Sequence, residues 1–321
     1  MIEKREGLGE DSDPLSFQTK DNNFLATGVF DGLGGAGALA VNSRFGIHSS
    51  AYVASRLVKD RSLSYIKEHL QDVSLSSDDF YTALRDVLQK EKDEFPTEKK
   101  SSLRSTIVRE YPTTLSVIVT HKKGKEQYEL NSFWAGDSRN YLLVPHKGLM
   151  QLSKDDLQVD ADPLENLRND SPISNCICLN REFIIHSLRL EVSTPFVIIS
   201  ASDGCFGYLK TPMHFEHLLL GTMASAKNID NWRALLTKRI SEVAADDVSM
   251  SMICIGFRKF DKMKKSFSTR KKELENIIYK YDEIENSIAQ EEGNIDMQAL
   301  QEYESSAWNS YKEVYMRYIT E

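Results

Sequence analysis

Hydrophobic spacing along the chain switches between two textures, and the switches mark the elements. Residues 22–32 (NNFLATGVFDG) form a short apolar run closed by Asp31-Gly32, as expected of a buried strand entering a turn. From Gly37 to about Leu70 the spacing predicts a helix. Ala38, Val41, Phe45, Ala51, Val53, Ala54, Leu57 and Val58 share one broad face, and Asn42 or Ser43 could cap or bend it. A second helix is predicted from Ser77 to about Lys92, with Phe80, Leu84, Val87 and Leu88 as its stripe. Asp78 and Asp79 fall in its first turn, where negative charge suits the helix dipole. Residues 93–110 read as a polar connection.

Strand texture then dominates, at 113–121 (TTLSVIVTH), 127–137 (QYELNSFWAGD) and 140–153. The last of these reads as a hairpin turning at Pro145-His146-Lys147-Gly148. Further strands are predicted at 183–191, 195–204 and 248–257, with helix over 211–243. Clusters of strands separated by helices predict an α+β layered fold rather than alternating βαβ units. After Phe257 the texture changes again: residues 258–272 carry eight Lys/Arg against one acidic residue. Leu274, Ile277, Tyr281, Ile284 and Ile288 then recur at helical spacing. Gly293-Asn294 interrupts, and Leu300, Tyr303, Ala307, Tyr311, Val314 and Tyr318 resume. This predicts an antiparallel helical hairpin, each arm about 35–40 Å long at about 1.5 Å per residue. It is read as an appendage (258–321) on a domain spanning 1–257.

Composition narrows the picture without deciding it. A chain of 321 residues, 40% hydrophobic and 27% charged, is ordinary for a soluble globular protein. A net charge of −8 argues against general nucleic-acid binding. No apolar run reaches the length of a membrane span, and the first residues lack an apolar signal core. Cys176, Cys178, Cys205 and Cys254 sit in or beside strand-like runs, without CxxC spacing, and read as small buried hydrophobes. A cytoplasmic protein without membrane or nucleic-acid partners is expected.

The loop GVFDGLGGAG (28–37) carries the candidate chemistry. Gly32, Gly34 and Gly37 satisfy the G-x-G-x-x-G spacing of a dinucleotide-binding turn, which also needs an acid about 20 residues on. Position 52 is Tyr, and no Asp or Glu lies between Asp31 and Asp60. Asp31 would moreover stand beside a pyrophosphate and repel it. Three other apolar runs adjoin aspartates in a similar way: Gly136-Asp137, Asp203-Gly204 and Asp246-Asp247. Glu10-Asp11 precedes the first strand. Each Asp-Gly alone is also a turn signal. As a set, carboxylates at the ends of packed strands would repel unless hard divalent cations held them, which implies Mg²⁺ or Mn²⁺.

These motifs resemble the type 2C, metal-dependent protein serine/threonine phosphatases, the bacterial branch above all. The resemblance rests on GED (9–11), VFDGLGG (29–35), PTTLSVIV (112–119), WAGDSRNYLL (134–143) with QLSKDD (151–156), SASDG (200–204) and ADDVSMSMI (245–253), in family order. It implies a four-layer αββα sandwich of two antiparallel sheets flanked by helices, with the site in a cleft at one edge. Carried over by position, Asp31 would bridge two Mn²⁺ or Mg²⁺ ions, completed by Asp203 and Asp246 on one side. Glu10 and the Gly32 carbonyl would serve the other, with Asp11 holding waters. Asp137 and Asp203 could hold a third ion. The implied reaction is hydrolysis of phosphoserine or phosphothreonine in a phosphoprotein by a metal-bridging water, with Asp31, Asp203 and Asp246 as the catalytic set. Leu33 stands where many members carry a histidine acid. Arg5 lies near the family's phosphate-binding arginine but out of register. Asp247 stands where Asn is commonest, so Asp246 and Asp247 are not separated. Thr113 and Thr114 read as strand packing and Arg139 as an ion-pair residue. The rival reading is a catalytically weak or inactive relative serving as a binding module. In either case the helical tail could dock a protein partner or a second copy.

Overall fold

The computed structural model describes residues 1–4, 7–70, 75–96, 108–169, 171–290 and 297–320, with backbone alone at 288–290 and 297. In chain order its elements are β1 (Leu15–Gln18), β2 (Phe24–Val29), a single turn α1 (Gly34–Gly37), β3 (Ala40–Ser43), β4 (Gly46–Ser49), α2 (Ser50–Glu68), α3 (Ser77–Glu94), β5 (Leu115–Lys122), β6 (Gln127–Ala135), β7 (Arg139–Val144) and β8 (Gly148–Gln151). There follow α4 (Pro163–Arg168), β9 (His186–Ser193), β10 (Phe196–Ala201), α5 (Pro212–Ser225), α6 (Ile229–Ser241), β11 (Met250–Ile255), α7 (Phe260–Ser266), α8 (Ser268–Gln290) and α9 (Met297–Tyr315).

Period-two alternation builds the layers. One antiparallel sheet has the order β1-β2-β5-β6-β9 and the other β11-β10-β7-β8. In β10, Phe196 and Ile198 face the first sheet and meet Leu25, Ile118, Leu130 and Leu142. Val197, Ile199 and Ala201 turn the other way, into the helices behind the second sheet. Across the sandwich, Ala26, Val117 and Val119 face α2 and α3, against Val53, Leu57, Phe80 and Leu84. The result is the predicted αββα order, with strand ends meeting at one edge.

Two predicted helices break where local chemistry stops them. The helix expected from Gly37 is instead the β3-β4 hairpin, its turn closed by Gly46 at φ 98° and by Ser43 Oγ donating to the Gly46 carbonyl, 2.8 Å. Helix α2 starts only at Ser50, because the Ser49 side chain accepts the Tyr52 N–H and caps it. The 211–243 segment divides at Ala226–Asn228, where Asn228 caps α6.

The C-terminal segment differs from expectation more deeply. It does form helices, but not an appendage: Met263, Phe267, Leu274, Ile278, Trp308, Tyr311 and Tyr315 enter the same core as Tyr141, Leu143, Leu149 and Phe215. At about 1.5–3 kcal/mol per buried side chain, this contribution rivals the roughly 5–15 kcal/mol net stability of a whole domain. The hairpin is part of the outer helical layer. The spacing showed the apolar stripe but not what would cover it. The predicted stripe position Ile288 and the Gly293-Asn294 break lie outside the described side chains and residues. Among the described residues no helix is long and apolar enough to cross a membrane.

Candidate metal centre

The site forms where β2, β10 and the start of β11 end against the N-terminal segment. Ser12 N–H donates to the Phe30 carbonyl, 3.0 Å, which lays residues 10–12 alongside the end of β2. Asp31 follows and is pinned on both sides of its peptide: its N–H donates to Thr114 Oγ1, 3.1 Å. Its carbonyl accepts from Thr114 N, 2.8 Å, and from Thr113 Oγ1, 2.8 Å. The two threonines are therefore more than strand packing. Gly32 bridges back to Thr113.

Glu10 is held at the mouth of α2. Its N–H donates to Asp247 Oδ2, 2.8 Å, and its carbonyl accepts from Ser55 Oγ, 2.6 Å. Its carboxylate accepts from the hydroxyl of Ser49, the residue that caps α2. Arg56 donates to the carbonyls of Gly9 and Glu10 at 3.3 Å each and lies 3.3 Å over the Tyr52 ring. A Cβ at position 34 would come 1.5 Å from Glu10 Oε2, so a side chain there would push the Glu10 carboxylate out of its place.

Asp203 ends β10 and opens a short 3-10 turn. A Cβ on Gly204 would come 2.0 Å from the Asp247 carbonyl, so glycine permits the approach of the 246–247 loop. Asp247 uses both oxygens on backbone, accepting Lys4 N–H and Glu10 N–H at 2.8 Å each. Asp246 is exposed at the rim; one oxygen accepts Asp247 N–H. Asp137 sits between Gly136, whose N–H donates to Asp156 Oδ2 at 2.9 Å, and Ser138, whose hydroxyl bonds Thr114 Oγ1 at 2.8 Å.

The electrostatics are unbalanced. Burial pushes the Asp11 carboxyl up to about 7, with the charges of Asp203 and Asp247 adding to the shift. Burial also drives Asp31 well above the usual carboxylate range, reinforced by Asp11, Asp203 and Asp137. Asp137 is raised likewise by burial and Asp203, and Asp203 by burial and Asp246. Glu10 is raised by burial, against its bond from Ser49. Asp11 Oδ2 and Asp137 Oδ1 are buried without a hydrogen-bond partner. Among the described residues no three carboxylates close to chelating distance of one point, although Asp31 interacts at close range with both Asp11 and Asp203. Orphaned buried oxygens, an all-oxygen donor set and mutual repulsion fit a hard divalent cation.

A family model for protein phosphatase 2C matches residues 8–241. The chain belongs to the protein phosphatase 2C family. The match spans most of both sheets and every carboxylate above except Asp246 and Asp247. No curated protein matches the sequence significantly. Solved structures with the fold include a bacterial serine phosphatase, at TM-score 0.53 and 17% identity over 78% of this chain and 93% of its own. Stp1 of Staphylococcus aureus, a serine/threonine phosphatase, gives TM-score 0.51 and 16% identity over 78% and 90%. The phosphatase MsPP of Mycobacterium smegmatis, solved with cacodylate, gives TM-score 0.51 and 12% identity over 78% and 94%. At these identities the likeness is one of fold.

Within this 2C phosphatase, the sequence-predicted Glu10, Asp11, Asp31, Gly32, Asp137, Asp203 and Asp246 gather at one edge. Arg5 lies outside the described residues. Sequence reasoning missed the groups that hold the carboxylates: Ser49, Ser55, Arg56, Thr113, Thr114, Ser138 and Asp156. Asp156 also bonds His186 Nε2 at 3.0 Å. Their roles depend on contacts between distant strands, and only the Ser49 cap has a local sequence signal.

Proposed function

We propose that this phosphatase hydrolyses phosphoserine and phosphothreonine in phosphoproteins, using two Mn²⁺ or Mg²⁺ ions held by Asp31, Asp203, Asp246, Glu10 and the Gly32 carbonyl. Asp11 orients water beside them, and Asp137 with Asp203 offers room for a third ion. The observation that carries the reading is the buried, unpartnered oxygens of Asp11 and Asp137 among mutually repelling carboxylates. When bound, such cations lower the pKa of water and neutralise a phosphoryl group for in-line attack.

The chain's own residues supply position and exclusion. Thr113 and Thr114 fix the peptide of Asp31, and with it the point from which its carboxylate projects. Asp247 spends both oxygens holding Lys4 and Glu10 in place, which favours Asp246 as the ligand of the pair. Leu33 can donate no proton, so the departing serine or threonine oxygen takes its proton from solvent. Cys205, buried and pushed up by burial, stays a thiol and does not serve as nucleophile.

Turnover of p-nitrophenyl phosphate and of a phosphothreonine peptide, with Mn²⁺ and with EDTA, tests the reading. Hydrolysis should require the ion and stop in chelator. Full activity in EDTA would overturn the metal-dependent mechanism, and none at saturating Mn²⁺ would return the protein to the class of inactive, binding-only relatives.

A further inference from the structure

The β3-β4 hairpin stands where the spacing had predicted helix, and one of its faces is left uncovered. Its register pairs Ala40 with Ser49 and Asn42 with Ile47, so alternation puts these four side chains on one face and Val41, Ser43 and His48 on the other. The second face is anchored. Val41 and Ser43 are buried, and the His48 ring stacks on that of Tyr52 at 3.9 Å. The turn is tied to α3: Glu91, itself fully buried, accepts the Arg44 N–H at 2.9 Å and Arg44 Nε at 2.5 Å. A ribbon fixed in this way is ordered before any partner arrives, which lowers the cost of binding one.

The uncovered face begins at the metal centre. Ser49, at its root, donates to the Glu10 carboxylate. Ile47 lies two residues away on the same face, roughly 7 Å along the strand, and is 77% exposed. Ala40 and Asn42 beside it are exposed as well. On the Glu10 side of that bond, Leu8 precedes Glu10 by two residues and is 70% exposed. Among the described residues these are the two most exposed large hydrophobic side chains, and each stands two residues from the Glu10–Ser49 hydrogen bond. Apolar side chains scattered singly over a surface need no explanation. Two that flank one carboxylate of the candidate metal centre stand where a substrate chain must pass.

We infer that the β3-β4 hairpin and Leu8 form a recognition surface for the substrate polypeptide, selecting a bulky apolar residue two or three positions from the phosphorylated serine or threonine. The inference rests on the phosphatase reading of the site and names the substrate that the site favours. The phosphoryl group belongs at the carboxylates, so the chain that carries it leaves the cleft past Glu10. An extended chain advances about 3.3–3.6 Å per residue, and the second or third residue from the phosphorylated one therefore reaches the distance of Ile47 from Ser49. An apolar side chain there covers surface that both partners otherwise expose to water. A small aryl phosphate has no flanking residue to place on the hairpin and gains nothing from it.

The test uses the full chain with Mn²⁺, two phosphothreonine peptides and p-nitrophenyl phosphate. The peptides differ only in carrying leucine or serine at the second and third positions on both sides of the phosphothreonine. The unsubstituted protein should cleave the leucine peptide with a kcat/KM about tenfold higher, the low end of what a small apolar contact discriminates. Ile47→Thr, which keeps a strand-favouring residue, and Leu8→Ser should each reduce that preference through a higher KM for the leucine peptide at unchanged kcat. Both variants should hydrolyse p-nitrophenyl phosphate at the unsubstituted rate and keep the unsubstituted melting temperature. No preference in the unsubstituted protein, or one that survives in both variants, overturns the inference, while turnover of p-nitrophenyl phosphate leaves the phosphatase reading standing. Equal losses on the peptides and on p-nitrophenyl phosphate also overturn it, because the hairpin would then act on the metal centre rather than on the substrate chain. No turnover of any of the three by the unsubstituted protein overturns both readings.

Discussion

Among the places where this molecule buries acids, two do so in opposite ways. Glu216, on α5, is 0% exposed. It receives Arg270 Nε at 2.7 Å, Arg270 Nη2 at 2.9 Å and the Tyr311 hydroxyl at 2.7 Å. Asp11 is 1% exposed, has an oxygen with no partner, and lies among other acids. A buried charge with matched partners is cemented into the fold. A buried charge surrounded by its own sign is held at a cost by the rest of the structure, and marks where a ligand of opposite charge belongs. The charge pattern therefore separates the helical cover from the working edge.

The largest effect should come from removing the cover. Ending the chain at Lys259 would expose Tyr141, Leu143, Leu149 and Phe215 and strip Arg270 from Glu216. Cooperative unfolding should be lost, as read by circular dichroism and thermal melts. In the full chain, Glu216→Ala leaves the largely buried Arg270 with only its 3.7 Å contact to Glu273, and the Tyr311 hydroxyl without its acceptor, and should cost about 3–5 kcal/mol, with Mn²⁺ affinity unchanged. A stable, active truncated protein would restore the view of residues 258–321 as an appendage.

The working edge should respond in the reverse sense. Asp203→Asn should lower kcat by at least ~100-fold, because it disturbs the groups that hold the ions. The same substitution should raise the melting temperature of the metal-free protein, since it removes one of several repelling charges. A fall in both would mean that the cluster is structural rather than functional.

pH sharpens the contrast further. Asp11 is raised to about 7 by burial, so the folded state binds its proton more tightly than the unfolded chain does. Its contribution to stability is full below the ordinary carboxylate range and is lost as pH rises toward and through 7. Asp31, Asp137 and Asp203, also raised, act with the same sign. In EDTA the melting temperature should therefore fall between pH 5 and 8, and Asp11→Asn should flatten the fall. Mn²⁺ competes with those protons, so its stabilising shift should grow over the same range. His186, raised chiefly by its bond to Asp156, loses stability in the same direction, so the Asp11 variant is the arm that isolates the cluster.

How far the sequence carried this can be told residue by residue. The strand termini were legible because each apolar run ends on a charged turn: Asp31, Asp137 and Asp203 all announce themselves locally. The layer order followed from strand clustering and the family motifs. The β3-β4 hairpin was not legible, because Val41 and Phe45 suit a helix stripe as well as a strand facing one. Nor was the hairpin's burial, because Trp308, Tyr311 and Tyr315 look the same whether they pair with each other or cover β7 and β8. The holding groups escaped for a similar reason. Thr114 becomes a pin for Asp31 only when β5 lies beside β2, a contact between residues 83 positions apart.

The smallest expected effect concerns Leu33. With no acid at that position, rates should depend steeply on leaving-group pKa, and aryl phosphates should be cleaved faster than alkyl ones. Leu33→His should reduce that slope, in a series of substituted phenyl phosphates assayed at fixed pH. Equal wild-type rates on aryl and alkyl substrates would point to a proton donor elsewhere.

The central claim is that the unpartnered acids at the sheet edge await divalent cations. Calorimetric titration of the unsubstituted protein with Mn²⁺, beside Asp31→Asn, addresses it most directly. The account predicts saturable binding of at least two ions with release of protons to the buffer, and its loss or severe weakening in Asp31→Asn. Binding that is absent in the unsubstituted protein, or unaltered by Asp31→Asn, would contradict it.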